Sequence, residues 1–157
     1  MLKILVDLWD KNKDVLKQEL KGLYNVGQLD YKTLVKMTFE KIYNVENNID
    51  EYPYMTLDCE SVTEIDNGDY QGTLLYLIPF DRYQPSEFEY LMTYVDYGSC
   101  SGCDTLLSII DWGDARPTDT QVNELLALCK DILTNTIKPY NSAWRKIDLF
   151  DSVEIDD

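Results

Sequence analysis

The stretch 54–79 constrains the fold of this chain more than any other. Two runs of alternating residues, 54–65 and 70–79, flank Asp66-Asn67-Gly68-Asp69. Asn-Gly between such runs is the strongest short-range hairpin signal, because a type I′ turn needs positive φ at both central positions. The second run, Gly72-Thr73-Leu74-Leu75-Tyr76-Leu77-Ile78, is nearly all apolar. It reads as a central strand covered on both faces and ended by Pro79. A loop through Asp81-Arg82-Tyr83-Gln84-Pro85 leads to a third strand over 87–97. Its predicted faces are Phe88, Tyr90, Met92 and Tyr94 on one side, and Leu91, Thr93, Val95 and Tyr97 on the other.

Helical periodicity surrounds this sheet. Leu2, Leu5, Leu8, Trp9, Leu16, Leu20 and Leu23 predict an amphipathic helix over 2–21, with a break suggested by the polar run 10–14. Asp30 reads as the N-cap of a second helix, 31–44, with Leu34, Val35, Thr38 and Ile42 facing inward. Residues 45–53 read as a polar loop. Residues 97–104 form a turn into a helix at about 104–112. Pro117, with Thr118 or Asp119 as cap, opens a helix over 119–137 whose stripe is Val122, Leu125, Leu126, Cys129, Ile132 and Leu133. Pro139 closes it, and Trp144 and Phe150 are anchors beyond. A chain of 157 residues fits one domain. The expectation is a single α+β domain over 1–157, with an antiparallel sheet of three or four strands and about four helices. Two helices lie at the N-terminus and one long helix lies near the C-terminus, and these three pack on one sheet face.

The net charge of −15 is unevenly spread. Residues 1–50 carry eight Lys against eight Asp or Glu, so this helical part is neutral. Residues 51–157 hold six basic and twenty-one acidic residues. Over 42–115, Arg82 faces fifteen acids from Glu46 to Asp114. The sheet and cysteine turn (51–112) are therefore acidic, and the 113–157 part adds a helix and an acidic tail. Such a field repels nucleic acid and anionic membranes and attracts basic protein surfaces. A carboxylate array can compete for the Lys and Arg side chains that otherwise grip phosphates. The strands and the turn place Glu60, Glu64, Asp66, Asp69, Glu87, Glu89 and Asp96 as the partner-binding candidates. On the alternation reading, Asp58, Glu60 and Glu64 share one side of the first strand, and Glu87 and Glu89 share one side of the third.

Histidine is absent, which removes Ser-His-Asp and Cys-His triads, His-ligated zinc and a His general base. There is no P-loop, dinucleotide fingerprint or nucleophile elbow. No two carboxylates are singled out as an acid/base pair, and 66–69 lacks calcium-loop spacing. No catalytic residue and no cofactor is expected. The start of the chain, interrupted by Lys3, Asp7 and Asp10, does not read as a secretory signal, and no run is long enough for a membrane span. A cytoplasmic setting is expected, with Cys59, Cys100, Cys103 and Cys129 as free thiols. The twelve tyrosines leave a homodimer open.

Cys100-Ser101-Gly102-Cys103 sits between a strand and a helix. The plain expectation is a tight glycine-containing turn with small buried side chains, capped by Asp104. The alternative is a zinc or redox site centred on Cys100 and Cys103, as a thiol at a helix N-terminus has its thiolate stabilised. Asp104 opposes that stabilisation, and zinc needs two further ligands from Cys59, Cys129 or carboxylates.

Residues 94–107, Tyr-Val-Asp-Tyr-Gly-Ser-Cys-Ser-Gly-Cys-Asp-Thr-Leu-Leu, resemble a segment common in small uncharacterised bacteriophage and prophage proteins. There a strand runs into Tyr-Gly-Ser-Cys-Ser-Gly-Cys-Asp and then a helix. The resemblance covers about a tenth of the chain. It implies a phage-encoded accessory protein acting in the host cytoplasm, and it assigns no activity. Small acidic phage proteins without catalytic motifs are often inhibitors of host defence, anti-CRISPR proteins and restriction-blocking DNA mimics among them. The expected function is therefore inhibition of a host nucleic-acid-handling protein, such as a CRISPR effector nuclease, by an acidic non-enzymatic protein.

Overall fold

The fold is described from a computed structural model over residues 2–44, 56–81, 83–86, 89–100, 102–110 and 115–137. The first helix, α1 (Leu2–Lys21), is unbroken. Leu5, Leu8, Trp9, Asn12, Leu16 and Leu20 are buried at helical spacing. The suggested break fails because Asp10, Lys11, Lys13 and Asp14 all lie on the exposed side. The one inward polar residue, Asn12, donates its amide to the Ile42 carbonyl at 3.1 Å. A buried polar group so paired avoids the cost of an unmet hydrogen bond.

Helix α2 (Tyr31–Thr38) starts where Asp30 accepts the Thr33 N–H at 2.8 Å. The helix continues as a π-helical turn, Phe39–Tyr43, closed by the Asn44 N–H on the Phe39 carbonyl. The Asn44 amide then grips both the N–H and the carbonyl of Leu57, at 2.9 and 2.6 Å. This side chain ties the helical half to the sheet half of the chain.

Three antiparallel strands form the sheet in the order β1 (Thr63–Asp66), β2 (Gly72–Pro79), β3 (Tyr90–Tyr97). Two expectations are corrected here. The first strand does not span 54–65: 54 and 55 lie outside the described residues, and Cys59–Ser61 is a 3₁₀ turn. The Asp58 carboxylate causes it by accepting from the Glu60 N–H and the Ser61 hydroxyl. Such local bonds compete with a ladder. Asp58 and Glu60 therefore do not share a strand face with Glu64. Only Leu57 keeps an isolated bridge, to Phe80.

The hairpin exists, but not as a two-residue type I′ turn. Asp66 pairs with Leu74, and residues 67–71 have no positive φ. The Asn67 side-chain oxygen takes the Thr73 N–H at 2.7 Å, which widens the loop. Glycine is required there by space. A Cβ on Gly68 would lie 2.1 Å from the Gln71 carbonyl oxygen, and one on Gly72 would lie 2.7 Å from the Asn67 side-chain oxygen. Gly68→Ala is expected to lower stability by about 1–3 kcal/mol through this backbone collision. Urea unfolding measures it, and an unchanged midpoint would show that the loop has room to shift.

The core face of the sheet carries Leu74, Tyr76 and Ile78 of β2 and Leu91, Thr93 and Val95 of β3, all buried. The opposite face of β2, with Thr73, Leu75 and Leu77, is half-buried, so the expected full cover on both faces holds on one. Strand β3 starts at Tyr90 rather than 87. Glu89 precedes it, accepting the Phe80 N–H and donating to Ser86, while Glu87 and Phe88 lie outside the described residues.

Two helices follow. Helix α3 (Thr105–Ile109) is capped by Asp104. Helix α4 (Asp119–Thr134) opens on a capping box between Thr118 and Gln121. Its buried stripe is Val122, Leu125, Leu128, Cys129, Ile132 and Leu133, with Leu126 only half-buried. Two polar bonds pin α4 to β3: the Thr93 hydroxyl on the Ile132 carbonyl at 2.6 Å and the Asn135 amide on the Tyr94 carbonyl at 3.1 Å. Both α1 and α2 pack on α4. The predicted helix end at 137 is corrected, because Asn135 caps the helix in a turn and Ile137 bridges Met92 of β3. That bridge is all of a fourth strand within the described residues. Trp144 and Phe150 lie outside them. The result is an α+β fold.

Candidate functional site: an acidic cleft walled by tyrosines

The start of α2, the core face of β1 and the start of α3 meet around a cleft of about 350 Å³. Its walls include Asp30, Tyr31, Glu64, Asp66, Tyr97 and Asp104, with leucines at the base. This volume is in the range of small-ligand sites.

Three carboxylates here are each held by a tyrosine hydroxyl. The Tyr31 hydroxyl donates to Asp104 Oδ1 at 2.8 Å. Tyr76 donates to Glu64 Oε2 at 2.8 Å, and Tyr97 donates to Asp66 Oδ1 at 2.6 Å. Strand register explains the last two. Glu64 pairs with Tyr76 across β1 and β2, and Asp66 pairs with Leu74, which faces Val95 two residues before Tyr97. Asp104 is the most enclosed of the three. Its Oδ1 also takes the Leu107 N–H at 3.0 Å, and its Oδ2 takes the Gly98 N–H at 2.9 Å.

These bonds alter the acidity of Asp66 and of the three tyrosines. The Tyr97 hydroxyl, then the Gly68 N–H, hold Asp66 below its ordinary value. The Asp66 carboxylate pushes Tyr97 up to about 12. Burial first, then the bond to a carboxylate, raises Tyr31 and Tyr76 further. All three phenols therefore stay protonated and act as fixed donors, which leaves them unsuited to proton transfer near neutral pH. No Lys or Arg lines the cleft among the described residues. The arrangement suits a cation: an ammonium or guanidinium would meet carboxylates already oriented by their tyrosines.

Of the acids expected from sequence, Glu64 and Asp66 come together in this cleft. Asp69 stands exposed on the hairpin loop, close enough to raise the Tyr97 hydroxyl further. The others are dispersed. Asp96 pairs with Thr73 on the opposite face of the sheet and accepts its hydroxyl at 2.9 Å. Glu60 lies on the 3₁₀ turn with Lys36 3.8 Å away. Glu89 accepts the Ser86 N–H before β3 begins. Glu87 lies outside the described residues. Asp30, Tyr31, Tyr97 and Asp104 were not among the site candidates. Asp30 and Asp104 carried a signal as helix caps, but nothing in the sequence joined them.

The cysteine turn departs from its plain reading. Cys100 and Cys103 are exposed, not buried, with their sulfurs 2.6 Å apart. Asp104 does not crowd the Cys103 thiol, because its carboxylate is turned inward to Tyr31, Leu107 and Gly98. Cys59 and Cys129 are buried elsewhere, and burial pushes each thiol up to about 12. Among the described residues, no group of three or more Cys, Asp or Glu is placed to hold a metal. No helix among them is long and apolar enough to cross a membrane.

Comparison with family models, curated proteins and solved structures returned no match.

Proposed function

We propose that this chain is an acidic, non-enzymatic interaction protein that docks its tyrosine-braced cleft on Lys or Arg side chains of a nucleic-acid-handling defence protein, such as a CRISPR effector nuclease. The observation that carries this reading is the convergence of Asp30, Glu64 and Asp66 on one cleft without a lining cation. Carboxylates held by hydroxyl donors need little further ordering when a cation arrives, which lowers the entropic cost of binding. On the helical side, Lys36 sits by Glu60 and Lys41 by Glu19. The phage-accessory setting comes from the resemblance of residues 94–107 and from charge. Mimicry of phosphates is narrower than a single face of seven acids, since Asp96 points away from Glu64 and Asp66. It rests on Asp30, Glu64, Asp66 and Asp69.

The test is binding and inhibition across a panel of CRISPR effector nucleases and restriction endonucleases. Affinity is expected to fall on the order of tenfold or more as the Debye length shortens from about 10 Å at 0.1 M salt to about 3 Å at 1 M. The double variant Glu64→Gln, Asp66→Asn keeps acceptors for Tyr76 and Tyr97, and is expected to lose at least about tenfold in affinity with its melting temperature held. Salt-insensitive binding, or full inhibition by the double variant, would remove the reading.

A further inference from the structure

We propose that Cys100 and Cys103 are a redox-active dithiol that closes to an intramolecular disulfide by exchange with low-molecular-weight disulfides, Cys103 being the attacking sulfur.

The turn is built to hold the two sulfurs together. The Cys103 N–H donates to the Cys100 carbonyl at 3.1 Å, closing a four-residue turn. The base of the loop is locked by the Gly98 N–H on Asp104. Gly98 permits this approach, since a Cβ there would lie 2.5 Å from the Cys103 carbonyl oxygen and 2.7 Å from its sulfur. Both thiols are open to solvent and to a reagent.

The two sulfurs are not equivalent. Cys103 Sγ accepts the Cys100 N–H at 3.0 Å and lies against the Cys100 thiol. Those donors favour the anion at Cys103, and its thiol is accordingly lowered, chiefly by the Cys100 thiol. The thiolate is the nucleophile in exchange. The Cys103 thiolate attacks one sulfur of the external disulfide, forming a mixed disulfide and releasing one thiolate. The Cys100 thiol then loses its proton and attacks Cys103 Sγ, releasing the second. Two protein thiols are oxidised by two electrons, and one external disulfide is reduced to two thiols. Cys59 and Cys129 serve as internal controls, being buried.

The experiment treats the reduced native protein with oxidised glutathione and reads thiols by alkylation and intact mass. Two of the four thiols are expected to disappear, with a mass loss of two hydrogens and no retained glutathione. The other two become reactive only in denaturant. Cys100→Ser is expected to retain one glutathione on Cys103, and Cys103→Ser to react on the order of tenfold more slowly. Brief alkylation of the wild type, mapped by peptide, is expected to label Cys103 first and needs no variant to fold. Persistence of all four thiols, equal rates for the two variants, or first labelling at Cys100 would overturn the assignment.

Discussion

Replacing Asp104 with alanine is expected to destabilise the protein by about 3–5 kcal/mol, because three donors lose their acceptor at once and each unmet buried group costs about 1–3 kcal/mol. Asp104 is 5% exposed, and its two oxygens accept from Tyr31, Leu107 and Gly98. Without it, the Gly98 and Leu107 N–H groups and the Tyr31 hydroxyl lose their acceptor together. The Tyr31 hydroxyl would still accept the Leu106 N–H at 3.1 Å, so that bond alone does not rescue the site. For a chain of this size the loss corresponds to a melting temperature lower by roughly 10 °C. Asp104→Asn is expected to recover only part, since an amide offers one acceptor oxygen where the site presents three donors. Urea unfolding of both variants, with Tyr31→Phe and the double variant as a cycle, reads the coupling between the two side chains. A loss below about 1 kcal/mol for Asp104→Ala would mean that the network is not structural.

Alkaline unfolding is the second large effect. Burial first, then hydrogen bonding to a carboxylate, raises Tyr31 and Tyr76 above their ordinary value, and Asp66 pushes Tyr97 up to about 12. The folded state therefore holds protons that the unfolded chain releases. Groups raised in this way contribute stability in full below the unfolded pKa of about 10, and it is lost as pH rises through the folded values. The buried thiols of Cys59 and Cys129, each pushed up to about 12 by burial, act with the same sign from about pH 8.5 upward. Each fully retained proton steepens the fall by about 1.4 kcal/mol per pH unit. Tyr31 and Tyr76 together can remove several kcal/mol between about pH 10 and 12, against a total stability of about 5–15 kcal/mol. Urea midpoints should hold up to about pH 8.5 and then drop, with a distinct step in tyrosinate absorbance from the buried Tyr31 and Tyr76 at the unfolding transition. Tyr76→Phe should move that step to higher pH if the variant folds. An alkaline step left at the same pH in a folded Tyr76→Phe variant would contradict the buried pairs.

The helices were legible because their signals are local. A 3.6-residue apolar period placed α1 and α4, and Asp30 and Asp104 marked two starts; of Thr118 and Asp119, the two cap candidates for α4, the structure uses Thr118. The central strand was legible from its apolar run. The first strand was misjudged because alternation over 54–65 says nothing of what Asp58 does with its carboxylate. The hairpin turn was misjudged for a similar reason, as Asn67 used its side chain where a type I′ turn uses backbone. The polar run in α1 read as a break because the amide partner of Asn12 lies thirty residues away.

The candidate site divides along the same line. Chain order alone determined that this protein is α+β, that its acids crowd the sheet half, and that Cys100 and Cys103 sit in one turn. Composition and short-range spacing are enough for each of these. Only the tertiary structure decided which acids meet. It joined Tyr31 to Asp104 across 73 positions and Tyr97 to Asp66 across 31. It also put Asp96 on the far side of the sheet from Glu64 and Asp66. Strand register and helix packing are set by burial of apolar side chains over the whole molecule, and no local pattern of charges carries that information.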